Sequence, residues 1–360
     1  MADSQSFSRG ALGFRGNAGA LVMQWAEKPL LGVETSCDDT CAAVVTPEGG
    51  VLSNVISSQA SFHDRYGGVV PEVASRHHLE LINAVVDDAL SQAGVDLAGL
   101  AGIAATSGPG LIGALLIGLS TAKALAASNQ LAFVPVDHLH GHVAASFLEP
   151  DPFDPPFLCL VASGGHTLLA LVEDEGGFRL LGETRDDAAG EALDKAARLI
   201  GLPFPGGAEM DRLARDGDAS AFPFPIGMRR SASLDFSFSG LKTAFVYEVR
   251  ELGPEQAFER RVDLAASFQR AVVEALMLKL KQALARTGAR KLAVGGGVAA
   301  NSELRERLVA LKEERGLALK IPPADLCTDN AAMIASAARF LEPVPYPRYL
   351  AFDAFARTAA

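Results

Sequence analysis

Three of the chain's seven histidines, His138, His140 and His142, fall within five residues. His138 and His142 stand at i and i+4, so on a helix both imidazoles share one face, the geometry of a two-histidine metal site. The ordinary alternative is a pair of helix-surface or hydrogen-bonded core histidines, but the clustering beside Gly141 at the start of a helix favours a metal. A zinc-protease reading needs a glutamate directly after the first histidine as general base, and Leu139 occupies that place. Two imidazoles need a third ligand, preferably a carboxylate, and spacing alone does not choose among the acids. Asp329 sits in a polar loop before a helix, where its other role is a plain N-cap. Two histidines and one carboxylate with open positions suit Fe(2+) at least as well as Zn(2+).

Two glycine-rich loops form a second signal. Ser163-Gly164-Gly165 follows a strand, and Gly295-Gly296-Gly297 precedes a helix. Glycines admit close backbone approach, and free N–H groups there hold phosphate or another anion. Neither loop fits the Walker or GxGxxG pattern, and ordinary tight turns use the same residues. Asn301 is placed to touch a nucleotide or to cap its helix. Glu191, Asp194 and Asp211 flank Pro205-Gly206-Gly207, where a carboxylate binds ribose hydroxyls or simply belongs to a solvated helix face.

The elements that must position these groups repeat. Leu30–Val33, Cys41–Val45 and Val51–Ser57 are predicted strands around the polar turn 34–40. Pro156–Ala162, Leu168–Val172 and Phe178–Glu183 repeat that order about 125 residues later, which points to two similar α/β halves. Helices are expected over Arg76–Ala93, Leu111–Ala127, Asp186–Leu199, Ser302–Leu311 and Ala331–Leu341, and strands over Ala101–Thr106 and Lys291–Val294. Residues 97–122 carry no charge, yet Ser107-Gly108-Pro109-Gly110 splits them into strand, loop and buried helix rather than a membrane span.

At 360 residues and 49% hydrophobic content the chain is long enough for two domains and excludes a disordered tail or a disulfide-stapled miniprotein. Four cysteines, Cys37, Cys41, Cys159 and Cys327, with no CxxC pair, read as a reduced cytoplasmic protein. Residues 1–29 carry no signal-peptide pattern and read as a flexible extension. The net charge of −11 excludes a uniformly basic nucleic-acid binder. Residues 226–320, however, hold 17 Lys/Arg against 11 Asp/Glu, a local +6 that leaves −17 on the remainder. Arg229, Arg230, Lys242, Arg260 and Arg261 are candidates for phosphate contact or for ordinary solvated helix charge.

Six ordered motifs tie these pieces together: Gly32-Val33-Glu34-Thr35-Ser36-Cys37-Asp38-Asp39-Thr40, Tyr66-Gly67-Gly68-Val69-Val70-Pro71-Glu72-Val73-Ala74-Ser75-Arg76, His138-Leu139-His140-Gly141-His142, Ser163-Gly164-Gly165-His166-Thr167, Gly295-Gly296-Gly297-Val298-Ala299-Ala300-Asn301 and Thr328-Asp329-Asn330. With them the sequence resembles the TsaD family of bacterial tRNA threonylcarbamoyladenosine transferases, from about residue 31 to about residue 340. The resemblance implies an actin-like, sugar-kinase-like ATPase fold, α/β, with two RNase H-like halves and a central cleft. The first half would be 30–135, completed by a C-terminal helix over 324–345, and the second 136–323 with helical insertions. It implies transfer of threonylcarbamoyl from threonylcarbamoyl-AMP to N6 of the adenosine beside the anticodon, in tRNAs reading codons that start with A.

Residue by residue, the resemblance implies a metal on His138, His142 and Asp329, Fe(2+) before Zn(2+). Val161, Ala162, Ser163, Gly164, Gly165, Asp194, Gly207, Asp211 and Asn301 match substrate-binding positions. Asp38 or Glu34 is expected to take the amine proton. A TsaB-like paralogue and a TsaE-like ATPase are the expected partners, with no membrane. The competing readings are a small-molecule kinase on the same fold, which would hold Mg2+ on oxygen ligands rather than imidazoles, a metallopeptidase and a non-catalytic scaffold. His78 fits the Ser-Arg-x-His pattern of the family and carries no assigned role.

Overall fold

The computed structural model describes Trp25 and residues 27–356. Most of the 1–29 extension therefore lies outside the described residues. Its one described aromatic, Trp25, is buried and donates from Nε1 to the carbonyl of Arg339.

Two five-stranded mixed sheets form the frame. The first uses β1 (Leu30–Glu34), β2 (Asp39–Val45), β3 (Val51–Ser58), β4 (Gly102–Gly108) and β5 (Ala132–Asp137), in the order β3-β2-β1-β4-β5. The second uses β6 (Phe157–Ala162), β7 (Thr167–Asp174), β8 (Gly177–Glu183), β9 (Lys291–Gly295) and β10 (Ala318–Lys320), in the order β10-β9-β6-β7-β8. The two orders match strand for strand. β1 pairs antiparallel with β2 and parallel with β4, and β6 pairs antiparallel with β7 and parallel with β9. The duplication expected from the strand and loop pattern is thus present in the backbone.

Helices cover the sheets in layers. α1 (Pro71–Ala93) and α2 (Ile112–Ser128) pack on the outer face of the first sheet, against Leu31, Val33, Ala42 and Val44. α1 starts with Pro71, whose missing N–H is no loss in a first turn. On the second sheet the outer layer holds α4 (Ala189–Leu199), α5 (Gly206–Ala214), α6 (Ser239–Glu259), α7 (Arg261–Thr287) and α8 (Ser302–Arg315). It packs against Leu158, Leu160 and Leu169. α6 breaks at Gly253, which has φ +73° and precedes Pro254.

Between the sheets lie α3 (His138–Ala144) and α9 (Ala331–Ala338). Their core joins Leu30, Cys41 and Ala43 of the first sheet to Phe157, Cys159 and Val161 of the second. Every residue of α9 is buried, as an apolar helix without a polar face must be. Its contact with β1 is so close that a Cβ on Gly32 would meet the Ala331 carbonyl at 2.3 Å. Gly141 plays the same part on α3, where a Cβ would stand 2.7 Å from Ile334 Cδ1. Among the described residues no helix is long and apolar enough to cross a membrane.

Candidate metal centre and substrate cleft

α3 begins where β5 ends. Asp137 caps it, accepting from the amides of Leu139 and His140 at 2.8 and 3.2 Å. The helical spacing then turns His138 and His142 to one side, with ring centroids 4.7 Å apart. His140 turns away and sets its ring against Phe178 at 6.0 Å; burial drives its pKa down to about 4, so it is a neutral core histidine.

Asp329 reaches the pair from the loop before α9. Its Oδ1 lies 3.2 Å from His142 Nε2 and 3.6 Å from His138 Nε2. One ligand atom from each of the three residues falls within 4.8 Å of the others. The N-cap of α9 is Asn330, whose side chain accepts from the Met333 amide, so the Asp329 carboxylate is left free for the histidines. His142 Nε2 is buried and has no well-aligned hydrogen-bond partner among the described residues. An orphaned imidazole nitrogen beside a carboxylate and a second imidazole is a donor set that fits a divalent cation.

Glu34 completes the arrangement from below. It is fully buried at the end of β1. His138 Nδ1–H donates to its Oε2 at 2.9 Å, Thr106 Oγ1 donates to the same oxygen at 2.6 Å, and the Ser36 amide donates to Oε1. With Nδ1–H so engaged, His138 presents Nε2 to Asp329, the tautomer that ligates. Burial opposes an imidazolium here, but the Glu34 and Asp329 carboxylates outweigh it and push the His138 pKa up to about 9. Burial likewise opposes charge on Asp329, and the two histidines outweigh it, holding that carboxyl well below the usual range.

The glycine loops close on the same spot. The His166 ring lies 5.5 Å from that of His138; burial and then the neighbouring His138 and His142 drive its pKa down to about 3. Gly164 and Gly165 face open space, and their amides donate to no group among the described residues. Val161 and Ala162 are the buried end of β6, and Ser163 Oγ accepts from the His166 amide at 3.1 Å. On the other side a Cβ at Gly295 would stand 3.5 Å from the His142 carbonyl, and Gly296, at φ +87°, packs on the Ala162 carbonyl.

The remaining expected residues lie on the second half. Asp194 Oδ1 accepts from the amides of Gly206 and Gly207, at 2.8 and 3.0 Å, across the start of α5. Asp211 Oδ1 accepts from Ser302 N, Ser302 Oγ and Asn301 Nδ2. Asn301 caps α8 through the Leu304 amide. The capping alternative for Asn301 is therefore realised, within a network that also orders Asp211.

On the first half, Asp38 and Asp39 stand where the turn after β1 enters β2. Burial raises the Asp38 carboxyl, and nearby Asp329 adds to it. Burial and then Asp38 push Asp39 up to about 7, and its Oδ1 has no partner among the described residues. His78 explains how the turn is held: it is buried, accepts from Thr40 Oγ1 at 2.8 Å and donates to the Cys37 carbonyl at 3.0 Å. His78 and His166 are the side chains whose placement the sequence motifs contained but did not interpret. Of the basic candidates, Lys242 pairs with Asp187, Arg260 with Asp263 at 3.1 Å, and Arg261 stacks on Phe258; Arg229 and Arg230 stay exposed.

A sequence profile of the tRNA N6-adenosine threonylcarbamoyltransferase family, TsaD, matches residues 50–336. A tRNA N6-adenosine threonylcarbamoyltransferase of Clostridium perfringens (strain SM101 / Type A) is 50% identical over 314 residues, 87% of this chain and 93% of the relative. That of Clostridium botulinum (strain 657 / Type Ba4) is 50% identical over 311 residues, 86% and 92% of the two. Among solved structures, component A of the Acidaminococcus fermentans (R)-2-hydroxyglutaryl-CoA dehydratase aligns with TM-score 0.51 at 15% identity, over 90% of this chain and 99% of that one. T. kodakarensis HypF aligns with TM-score 0.57 at 13% identity, over 87% of this chain and 47% of that one. At such identities these two speak for the fold alone, the two-lobed actin-like, sugar-kinase-like ATPase architecture.

Proposed function

We propose, on the premise that the chain belongs to the TsaD family of tRNA N6-adenosine threonylcarbamoyltransferases, that its cleft moves threonylcarbamoyl from threonylcarbamoyl-AMP to N6 of the adenosine beside the anticodon. The acceptors are tRNAs reading codons that start with A. The observation that carries the reading is the meeting of the His138, His142 and Asp329 triad with the open Gly164–Gly165 loop and the packed Gly295–Gly297 loop in one cleft. The activity is tRNA threonylcarbamoyl transfer; the donor, the metal and the residue roles are our reading of that cleft.

His138, His142 and Asp329 would hold the ion, Fe(2+) before Zn(2+). When bound, the ion supplies Lewis-acid polarisation of the threonylcarbamoyl group. The rest of the chemistry falls to the chain. The amides of Gly164 and Gly165 hold the phosphate of the donor or the oxyanion that develops on its carbonyl. Asp194, Gly207, Asp211 and Asn301, with Val161 to Ser163, form the wall that holds the adenylate. Glu34, with all its described bonds turned inward, keeps His138 in its ligating tautomer. Asp38, partly exposed and with its carboxyl raised, takes the proton of the attacking amine. The N6–carbonyl bond forms, the bond from carbonyl carbon to phosphate oxygen breaks, the proton goes to Asp38 and AMP departs. We also propose that the chain works in the cytoplasm with a TsaB-like paralogue and a TsaE-like ATPase.

The test is His142→Ala, assayed with threonylcarbamoyl-AMP, tRNA and the partner proteins. The expected result is joint loss of bound metal and of transfer. Full transfer by metal-free variant protein would overturn the reading.

A further inference from the structure

The transfer chemistry demands that one base of the tRNA leave its stack and enter the protein. A cavity of about 340 Å³ opens at the rim of the cleft, where the two halves touch. Its walls come from both halves: Asp64, Tyr66 and Gly67 from the first, Asp194, Arg198 and Phe204 from the second. Phe204 N donates to Asp64 Oδ1 at 2.8 Å, and Arg198 donates to the Gly67 carbonyl at 3.2 Å, so the halves are bridged around the cavity. Two aromatic residues, one from each half, thus line one space. Tyr66 is 51% exposed, and the Arg65 guanidinium lies over its ring at 5.1 Å from the centroid. Asp194 lines the cavity and also belongs to the wall proposed above for the adenylate, so the cavity adjoins the place of the donor.

We infer that this cavity receives the acceptor adenine of the tRNA, stacked on Tyr66 and Phe204 with its exocyclic amine directed toward the donor wall at Asp194. The inference rests on the transfer reading above and adds the place of the acceptor. Aromatic faces supply stacking that an unpaired base needs, and bases drawn out of a nucleic-acid stack are held in this way by other enzymes. Arg65, cationic and exposed beside Tyr66, is suited to the flanking phosphate. Tyr66 and Phe204 are positioning residues here.

The test uses the full chain with its partner proteins and an anticodon stem-loop carrying 2-aminopurine at the modified position. Wild-type protein is expected to quench the probe by stacking. Tyr66→Ala and Phe204→Ala should each lose most of that quenching and lower kcat/KM for unlabelled tRNA about tenfold, leaving the KM for threonylcarbamoyl-AMP unchanged. Tyr66→Phe keeps a ring and should retain the quenching, and Tyr247→Ala, an exposed aromatic on α6, serves as the unaffected control. Phe204→Leu keeps the apolar packing should the alanine variant not fold, and should also lose quenching. Quenching and tRNA kinetics within twofold of wild type in folded Tyr66→Ala would overturn the inference. So would a rise in the KM for the adenylate alone, which would give the cavity to the donor. Failure of wild-type protein to modify any tRNA would sink the transfer reading instead.

Discussion

Replacing Glu34 by Gln separates two roles that its chemistry allows, base and positioning group. The amide has the shape of the carboxylate but only one accepting oxygen. With the NH2 at the Oε2 site, two N–H donors confront each other, from Gln and from His138 Nδ1. Thr106 escapes the conflict by rotating its hydroxyl, but the imidazole escapes only by moving its proton to Nε2, which places hydrogen where the ion belongs. With the NH2 at the Oε1 site, it confronts the fixed Ser36 amide. Either orientation leaves a buried donor unmatched, at about 1–3 kcal/mol. Loss of such a partner behind a ligating histidine weakens metal binding about 10–100-fold, which is about 1.4–2.7 kcal/mol. The assay is competition for the ion against a chelator of known affinity, run beside transfer kinetics at rising metal. The expected pattern is weakened binding, with transfer substantially restored when the site is saturated. Unchanged metal affinity together with lost transfer at saturating metal would refute the argument and make Glu34 the proton acceptor.

Three further outcomes follow from the geometry. Asp38→Asn should lower kcat about 10²–10⁴-fold with metal content intact, read by single-turnover transfer against metal analysis. Gly32→Ala puts a methyl 2.3 Å from the Ala331 carbonyl; it should destabilise the fold by about 1–3 kcal/mol in denaturant titrations and loosen the metal, because α9 carries Asp329 at its entrance. In metal-free protein the folded pKa of His138, about 9, exceeds its unfolded value of 6.5. That imidazolium contributes stability fully present below pH 6.5 and lost as pH rises through 9. Metal-free protein should therefore lose Tm over that interval, while metal affinity rises across it as the competing proton leaves. A flat Tm profile that His138→Gln does not alter would contradict this.

The parts of this molecule that a reader of the sequence finds are those that local periodicity controls. The i, i+4 spacing of His138 and His142 is meaningful because any helix of that length places them together. The duplicated strand order shows through because the strands are short apolar runs interrupted by polar or glycine-bearing turns. Asp329 was ambiguous because N-cap and ligand positions look alike from sequence; only Asn330, one residue later, takes the capping bond. β5 was not expected, since Pro135 sits inside it; the sheet tolerates it because β5 is an edge strand. α7 escaped notice for a related reason, as it is buried over much of its length and shows no clean apolar stripe. Glu34 and His166 are conspicuous only after the two sheets face one another, a long-range fact that no local pattern encodes.

The position of α9 bears on how the protein is made. Ser336 on α9 donates to the Ala144 carbonyl, 192 residues earlier in the chain. At synthesis rates of about 5–20 residues per second, the inner surface of the first sheet and its two histidines wait roughly 10–40 s for their cover. During that interval an apolar face is exposed to chaperones, and the nascent chain has two of the three proposed ligands without Asp329. A ribosome that stops short of α9 releases a product lacking both the central helix and Asp329. Retention of the proposed metal would thus report that translation of this region ran to completion, and a cell that degrades the metal-free form would clear truncated copies by the same criterion.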